Sequence, residues 1–426
     1  MRRLTLILVM AFVAACSGAP GAAPTQGAAQ ASPIASRAAD VTGSAPAPTA
    51  TPATTDAAPS PSAAPASPQP IGVLVAANPP GSFTRNPIGQ ITCSGSIGAG
   101  DPVAVVGLTG HTYAELRDYT DPAHPRTVCR FEFGGFGLFV NARQVVTQTG
   151  WALEGGVETF VQAVVDLPEV RYHWFKIPGR RTVPADTSLL AVSRDLGSVA
   201  WVQDTQDDWV KKIVVTDGAG DHVVAEIQLY EGRCGDIGRE AAFSPSGSHL
   251  FILARSGTVD SSLLIVEGGA VRFALRPPAA GWSGGDFVDM AVWSPTSTTL
   301  FYSRAAGVYK WTPADGAKLL LPGVRWLYPT ISPDGRYLAY AVPRTDSARD
   351  VYLIDLARGT TPELLHGDRT IPIFLNARQL FYAVSGDPGC GGAGTPKIYD
   401  IVDRTEYASA LAWVRAIWPA TSAIPR

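Results

Sequence analysis

An excess of charge of either sign is missing from this chain of 426 residues. Lys and Arg number 34 and Asp and Glu number 37, so the formal net charge is only −3. Surfaces that bind nucleic acids are usually clearly basic, and this balance therefore argues against a nucleic-acid partner. Charged residues make up just 17% of the chain, whereas Gly and Pro number 43 and 35. Such a composition favours many turns and few amphipathic helices.

The usual signatures of metal sites and catalytic centres are also missing. No two of the five cysteines are spaced as C-x-x-C, and the six histidines are scattered. Residues Gly281–Gly285 match G-x-S-x-G, but a proline-rich segment precedes them instead of the strand that a nucleophile elbow needs. Asp204, Asp207 and Asp208 could bind a hard cation, although a solvated turn is the favoured interpretation. We therefore expect no catalytic residue, cofactor or metal, unless a site is assembled across distant segments.

The apolar run at the N-terminus is too short to span a bilayer as a mature helix. Leu4–Phe12 follows Arg2 and Arg3 and precedes Val13-Ala14-Ala15-Cys16. A positive region, a short apolar region and small residues are typical of a signal peptide. The last four residues resemble the lipobox of bacterial lipoproteins, which implies that residues 1–15 are removed and that Cys16 is acylated. The alternative is an ordinary secretory signal in which Cys16 is incidental.

Residues 16–70 form a low-complexity segment rich in Ala, Pro, Ser and Thr. It contains no aromatic residue, and its only charges are Arg37, Asp40 and Asp56. Such a segment cannot bury enough apolar surface to offset its chain entropy. We predict a disordered tether that holds the folded part, residues 71–426, away from the membrane.

Four cysteines remain after Cys16: Cys93, Cys129, Cys234 and Cys390. Export implies an oxidising compartment in which disulfides persist. Four cysteines allow three pairings. Cys93 with Cys129 is the most local choice, and Cys234 with Cys390 would then join different parts of the fold.

The segment from about Ile71 onward is made of short runs of β-branched and aromatic residues. Examples are Pro102–Val106, Lys212–Thr216 and Asp350–Asp355, each bounded by Gly, Pro, Asp or Ser. These runs have the length and composition of strands. Thr159–Val165 fits a strand or a short helix equally well. The pattern predicts an all-β domain.

An internal repeat runs through this domain. Its clearest copies are Phe243–Phe251, Trp293–Phe301 and Ile331–Ala339. Weaker copies are Phe139–Val146, Val192–Ala200 and Phe374–Phe381. Successive copies begin 38 to 53 residues apart, which is the range of a four-stranded propeller blade. In each copy we predict the end of an inner strand, a tight turn and the start of the second strand. The turn positions are Ser244, Pro245, Gly247, Ser294, Pro295, Ser332, Pro333, Asp334 and Gly335.

The best copy resembles the repeat of TolB-type β-propellers. Ser332–Gly335 followed by Leu338–Tyr340 is similar to its S-P-D-G turn and aliphatic-Ala-aromatic strand. The copies at Ser244 and Ser294 keep Ser-Pro but lack the Asp. The resemblance is strong over about residues 240–385 and implies a propeller. Family members commonly act as scaffolds for protein contacts or as substrate-gating modules, and no catalytic residue carries over.

The six copies and a poorly defined start near Ile97–Val103 predict seven four-stranded blades, with six or eight also consistent. Closing the ring requires one blade to be shared between the chain ends. Either Ile71–Val75 or Ala410–Ile417 could supply the shared strand. A closed ring leaves no open sheet edge, which protects an exported protein from edge-to-edge association.

The sequence thus predicts a lipid-anchored, extracytoplasmic propeller that faces the periplasm or the cell exterior. Its expected partners are the membrane, through the anchor, and a protein of the cell envelope. That hypothesis predicts an exposed apolar or aromatic patch without converging titratable groups. The alternative is a propeller that binds a carbohydrate or small ligand, or an enzyme with an axial site. It predicts carboxylate, His or Arg side chains that converge from several blades.

Overall fold

The computed structural model describes residues between 74 and 418. Gaps within that range lie at 76–81, 84–90, 99–100, 109–110, 112, 133–135, 142–143, 148–150, 155–156, 168, 177–188, 205–209, 229–238, 257–259, 276–287, 289, 345–348, 360 and 385–393. The predicted signal peptide, the predicted tether, Cys234 and Cys390 lie outside the described residues, so those predictions stay as they are. The G-x-S-x-G segment and most of the Asp204–Asp208 cluster lie outside them as well.

The described residues form strands, which are numbered here in chain order. The first eleven are β1 Leu74–Val75, β2 Ser82–Phe83, β3 Ile91–Cys93, β4 Val103–Leu108, β5 Tyr113–Asp118, β6 Arg126–Glu132, β7 Phe136–Asn141, β8 Gln144–Thr147, β9 Trp151–Glu154, β10 Val157–Asp166 and β11 Arg171–Lys176. The next twelve are β12 Leu189–Val192, β13 Val199–Asp204, β14 Val210–Asp217, β15 Gly220–Gln228, β16 Arg239–Phe243, β17 His249–Ser256, β18 Asp260–Glu267, β19 Ala270–Leu275, β20 Ala291–Trp293, β21 Leu300–Arg304, β22 Gly307–Thr312 and β23 Gly316–Pro322. The last nine are β24 Leu327–Ile331, β25 Tyr337–Pro343, β26 Arg349–Asp355, β27 Glu363–Gly367, β28 Arg369–Phe374, β29 Gln379–Val384, β30 Pro396–Asp400, β31 Thr405–Ala408 and β32 Leu411–Trp418.

These strands form seven sheets, five of which have four antiparallel strands in simple sequence order, from β12–β15 to β28–β31. Consecutive four-stranded meanders that each occupy one stretch of chain are the blades of a propeller. The all-β propeller fold predicted from the repeat is therefore confirmed. The ambiguous run Thr159–Val165 is a strand, since it lies within β10. The exact number of blades stays a prediction.

The chain ends meet in one five-stranded sheet, called here the closing sheet, with the order β3-β6-β5-β4-β32. The C-terminal strand β32 pairs with β4, and Val414 lies opposite Val106. The prediction that Ala410–Ile417 supplies the shared strand is thus confirmed. The other candidate is wrong, because Leu74 and Val75 pair instead with Phe175 and Trp174 of β11. The blade whose start was predicted near Ile97–Val103 is therefore completed by β32, the C-terminal strand.

The sheet that follows the closing sheet departs from the four-stranded pattern. Its main order is β1-β11-β10-β8-β7; β9 also pairs with β10, and β2 pairs with β9. β1 and β3 are short strands from the N-terminal part of the chain. They pair with β11 of this sheet and with β6 of the closing sheet. The N-terminal segment therefore covers the sheet edges at β11 and β6, which would otherwise offer free backbone groups.

The cores lie between sheets. One cluster combines Ala104 and Val106 of the closing sheet with Leu375 and Phe381, which belong to the segment around β28 and β29. Hydrogen bonds join neighbouring sheets as well: the indole of Trp293 donates to the carbonyl oxygen of Ala242 at 2.7 Å. Because each sheet buries its faces against the next one, a single sheet has no stable core of its own.

Candidate binding cleft at the ring closure

The repeat turns link each inner strand to the second strand of its sheet. In the best copy, Ser332 is fully buried, and its hydroxyl accepts a 2.8 Å hydrogen bond from the backbone N–H of Tyr337. The same hydroxyl donates to Asp334 at 2.5 Å. Ser193 repeats this arrangement with Ser198 and Asp195 at 2.8 and 2.6 Å. The turn positions found by the repeat are thus structural.

The glycine of the turn is required by the backbone and by the neighbouring blade. Gly335 has a φ of +74°, and a Cβ there would lie 2.5 Å from Thr296 Oγ1 in the turn of the preceding sheet. Gly247 has a φ of +76°, and a Cβ there would lie 3.5 Å from Ser193, which is an ordinary contact, so only the backbone requires this glycine. Left-handed backbone of this kind favours glycine. The turns of consecutive sheets therefore touch one another.

Cys93 and Cys129 form a disulfide, the most local of the pairings considered from the sequence. The two residues lie directly opposite each other in the β3–β6 pair. Cys129 is buried in the core of the closing sheet. The bond fixes the added edge strand β3 to that sheet.

A cleft of about 520 Å³ lies where the closing sheet meets β28–β31, called here the last sheet. One wall is the segment between β5 and β6, from Tyr119 to Pro125. The other wall consists of the turns and strands of the last sheet, including Arg378 and Asp400. The floor reaches Leu411 at the start of β32. The cleft exists only because the ring closes.

Two buried amides of the last sheet hold the walls together. The side-chain N–H groups of Gln379 donate to the carbonyl oxygen of Pro122 at 2.8 Å and to the hydroxyl of Tyr407 at 2.6 Å. Asn376 donates at 3.4 Å to the carbonyl oxygen of Tyr119. These residues lie in the copy Phe374–Phe381, one of the weaker copies that lack Ser-Pro. In this copy, side-chain amides contact the closing sheet.

The charged side chains of the cleft are mostly paired with one another. Arg378 donates to Asp400 at 2.5 Å and also contacts Asp403. The hydrogen bond to Asp400 raises the pKa of this guanidinium above its ordinary value. Arg117, on the opposite wall, donates to Glu115 at 3.0 Å. The charges of these side chains are therefore partly neutralised within the protein.

Two tyrosines give the cleft an aromatic character. Tyr119 is only 1% exposed; its hydroxyl oxygen interacts with the side chain of Arg117, and its O–H group has no acceptor. Burial raises the pKa of Tyr119. Tyr407 is 40% exposed, and burial of its ring together with the negative charge of Asp400 raises the pKa of its hydroxyl. Both hydroxyls therefore keep their protons at neutral pH.

A second group of polar side chains lies in the last sheet, and its Arg369 also donates to the carbonyl oxygen of Gly367 in the preceding sheet at 3.3 Å. Arg369 donates to both carboxylate oxygens of Glu406, at 3.0 and 3.1 Å, and the hydroxyl of Tyr382 donates to the same carboxylate at 2.7 Å. Burial opposes the charge on Glu406, but the hydrogen bonds from Arg369 and Tyr382 outweigh it and keep the pKa of Glu406 below its ordinary value. The three side chains therefore satisfy one another by hydrogen bonds.

The cleft combines features that the two sequence hypotheses kept apart. It carries an exposed aromatic side chain, and it also brings titratable groups together from two sheets. Sequence reasoning did not identify its residues, because they come from segments about 250 positions apart. Among the described residues, no group of three or more His, Cys, Asp or Glu is placed to hold a metal ion. In the same part of the chain, no helix is long and apolar enough to span a bilayer.

No protein-family model matches the chain, and no curated protein matches it. Similar solved structures include a prolyl endopeptidase (12% identity, TM-score 0.46), TolB from Acinetobacter baumannii (15%, 0.37) and a putative 6-phosphogluconolactonase from Bacteroides uniformis (11%, 0.43). The matches cover 80%, 75% and 73% of this chain. In turn they cover 51%, 66% and 95% of the other proteins, so the chain spans about half the length of the prolyl endopeptidase.

Proposed function

We propose that this protein is an exported, lipid-anchored propeller that binds a protein partner in the bacterial cell envelope. The anchor is Cys16, acylated after removal of residues 1–15, and residues 16–70 are the tether. The disulfide between Cys93 and Cys129 supports export, because such bonds persist in oxidising compartments. The TolB-type repeat supports a scaffolding role in the periplasm or at the cell exterior.

The observation that carries the binding role is the cleft at the ring closure. Its walls are turns held on rigid sheets, which is the usual arrangement of recognition surfaces. Its cations are paired with carboxylates, and Tyr407 offers a partly exposed aromatic ring. Aromatic side chains at the centre of a depression are common anchors in protein interfaces. We propose binding without catalysis on these grounds.

Site-specific photo-cross-linking in intact cells tests this function. A benzophenone amino acid replaces Thr405, an exposed residue that lines the cleft, and in a matched variant it replaces Ala317, an exposed residue of β23. We expect one specific protein adduct from position 405 and none from position 317. Identical adducts from both positions, or none from either, would contradict a protein-binding cleft.

The anchor is tested separately by membrane fractionation and metabolic labelling with an alkynyl fatty acid. The natural chain is expected in the membrane fraction with the label attached. The Cys16→Ser variant is expected without label and outside that fraction. Equal membrane recovery of both chains would overturn the lipid anchor while leaving the cleft experiment interpretable.

A further inference from the structure

One carboxylate of the cleft has no arginine or lysine partner. Two Arg and three Asp side chains line the cleft. Arg378 is shared between Asp400 and Asp403, and Arg117 is already engaged by Glu115 outside the lining. The remaining Asp121 accepts from the backbone N–H groups of Ala123 and His124 and contacts the exposed His124 ring at 3.2 Å. Carboxylates therefore outnumber guanidinium groups in the lining by one.

This charge persists at neutral pH. The backbone hydrogen bond from Ala123, followed by the contact with His124, lowers the pKa of Asp121. The Asp121 side chain is 62% exposed and that of Asp403 is 60% exposed, so both carboxylates are accessible to a ligand. A cationic group would complement them.

The hydroxyl of Tyr119 adds a second requirement for the ligand. The carboxylates call for a cation, whereas this hydroxyl calls for a hydrogen-bond acceptor. The hydroxyl is buried, and its residue lines the cleft. The side chain of Arg117 interacts with the hydroxyl oxygen, but arginine can only donate, so the O–H group has no acceptor. A buried donor without an acceptor is destabilising. An acceptor that enters the cleft would satisfy it.

Part of the remaining lining is apolar. Pro122, Pro125, Ile398 and Leu411 contribute to it. Such a lining suits the methylene stem of a long side chain whose charged end reaches a carboxylate. A cation on an apolar stem, attached to a backbone carbonyl, is the description of a Lys or Arg residue in a peptide.

Building on the proposed function, we propose that the cleft binds a Lys- or Arg-bearing extended segment of the partner protein. Asp121 and Asp403 take the cationic group, and the hydroxyl of Tyr119 donates to a backbone carbonyl of the segment. The aliphatic stem lies against Ile398 and Leu411. Charge complementarity then fixes the position of the partner on the propeller.

In the test, two blocked peptides are titrated separately into the disulfide-bonded protein, and binding is monitored by NMR. The probes are acetyl-Ala-Ala-Lys-Ala-Ala-amide and the same peptide with norleucine in place of Lys. We expect the Lys peptide to bind in the millimolar range and to lose affinity at high salt. Equal binding of the norleucine peptide would show an apolar occupant and overturn the inference.

Variants locate the site. Exposed ion pairs contribute little singly, so Asp121→Asn and Asp403→Asn are each expected to weaken binding about threefold, and the double variant about tenfold. Tyr119→Phe removes only the hydroxyl and is expected to weaken binding about fivefold. Asp315→Asn, at an exposed ion pair with Lys318 on another sheet, is the control and should bind normally.

The circular dichroism spectrum and unfolding midpoint of each variant verify that it is folded. Unchanged affinity in the folded Asp121→Asn/Asp403→Asn variant would overturn the inference. If instead no adduct forms through position 405 of the otherwise natural chain, the proposed function is contradicted. If the adduct forms but the Lys peptide does not bind, the partner is recognised by other chemistry.

Discussion

Breaking the Cys93–Cys129 disulfide should destabilise the propeller by an amount set by the length of the loop that the bond closes. The bond joins residues 36 positions apart. In the chain-entropy description, a loop of this size restricts the unfolded state by about 4 kcal/mol at 25 °C. The folded state loses little in return, because the two residues are already opposite each other in the β3–β6 pair.

The expected change in unfolding temperature follows from the size of the folded part. An unfolding entropy of about 2.1 cal/mol/K per residue, applied to the strand-bearing range Leu74–Trp418, makes the transition steep. A loss of about 4 kcal/mol then lowers the midpoint by about 5 °C.

The assay compares one polypeptide in two redox states. In a Cys234→Ser/Cys390→Ser background, Cys93 and Cys129 are the only cysteines in the folded part, and reduction with a phosphine breaks only their bond. Unfolding is followed by circular dichroism before and after reduction, and thiols are counted to verify the state. A protein in which both residues are Ala serves as control and should not respond to reductant.

A shift of less than 1 °C with complete reduction would refute the reasoning. It would mean that the disulfide does not lower the conformational entropy of the unfolded chain by the expected amount. A shift well above 10 °C would also contradict it, since that would require the bond to hold the folded state together directly.

Three further predictions follow from buried polar contacts, each checked by urea unfolding against the natural chain. Ser332→Ala removes the acceptor of a turn N–H and should cost about 2 kcal/mol, while Ser297→Ala, at an exposed position, should cost almost nothing. Gln379→Ala removes the contact that joins the cleft walls and should cost about 1 kcal/mol, with stronger protease cleavage between β5 and β6. Glu406→Gln should cost about 2 kcal/mol at pH 7. The pKa of Glu406 is lowered in the folded state, so its contribution to the free energy of unfolding is complete above the ordinary value of 4.5 and is lost as the pH falls through the lower folded value. The loss of stability in the variant should therefore be smaller at pH 3 than at pH 7. A loss that does not depend on pH would contradict this assignment.

The repeat could be read from the sequence because its signal is local. A buried Ser, a Pro and a positive-φ Gly within a few residues define a turn, and the flanking apolar residues define two strands. Gly335 and Ser332 behave as this pattern requires. The pairing of β32 with β4 was one of two open choices, because both chain ends offered a strand of suitable composition. Backbone pairing decided between them.

The cleft could not be predicted, because no short stretch of sequence contains it. Pro122 and Gln379 are brought together only by ring closure, and their hydrogen bond depends on the register of both sheets. The copy at Phe374–Phe381 has Leu375-Asn376 in place of Ser-Pro, and Asn376 contacts the closing sheet. The copy at Phe139–Val146 has the same Asn-Ala-Arg-Gln sequence, so this departure from the repeat did not identify the cleft by itself.

The central claim is that the C-terminal strand closes the ring against the N-terminal part of the chain. Val106→Cys/Val414→Cys, in a Cys234→Ser/Cys390→Ser background, places thiols on residues that lie opposite each other in β4 and β32. After mild oxidation, mass spectrometry of the monomer is expected to show positions 106 and 414 joined by a disulfide. Free thiols in folded monomer, or bonds only between two molecules, would contradict ring closure by this strand.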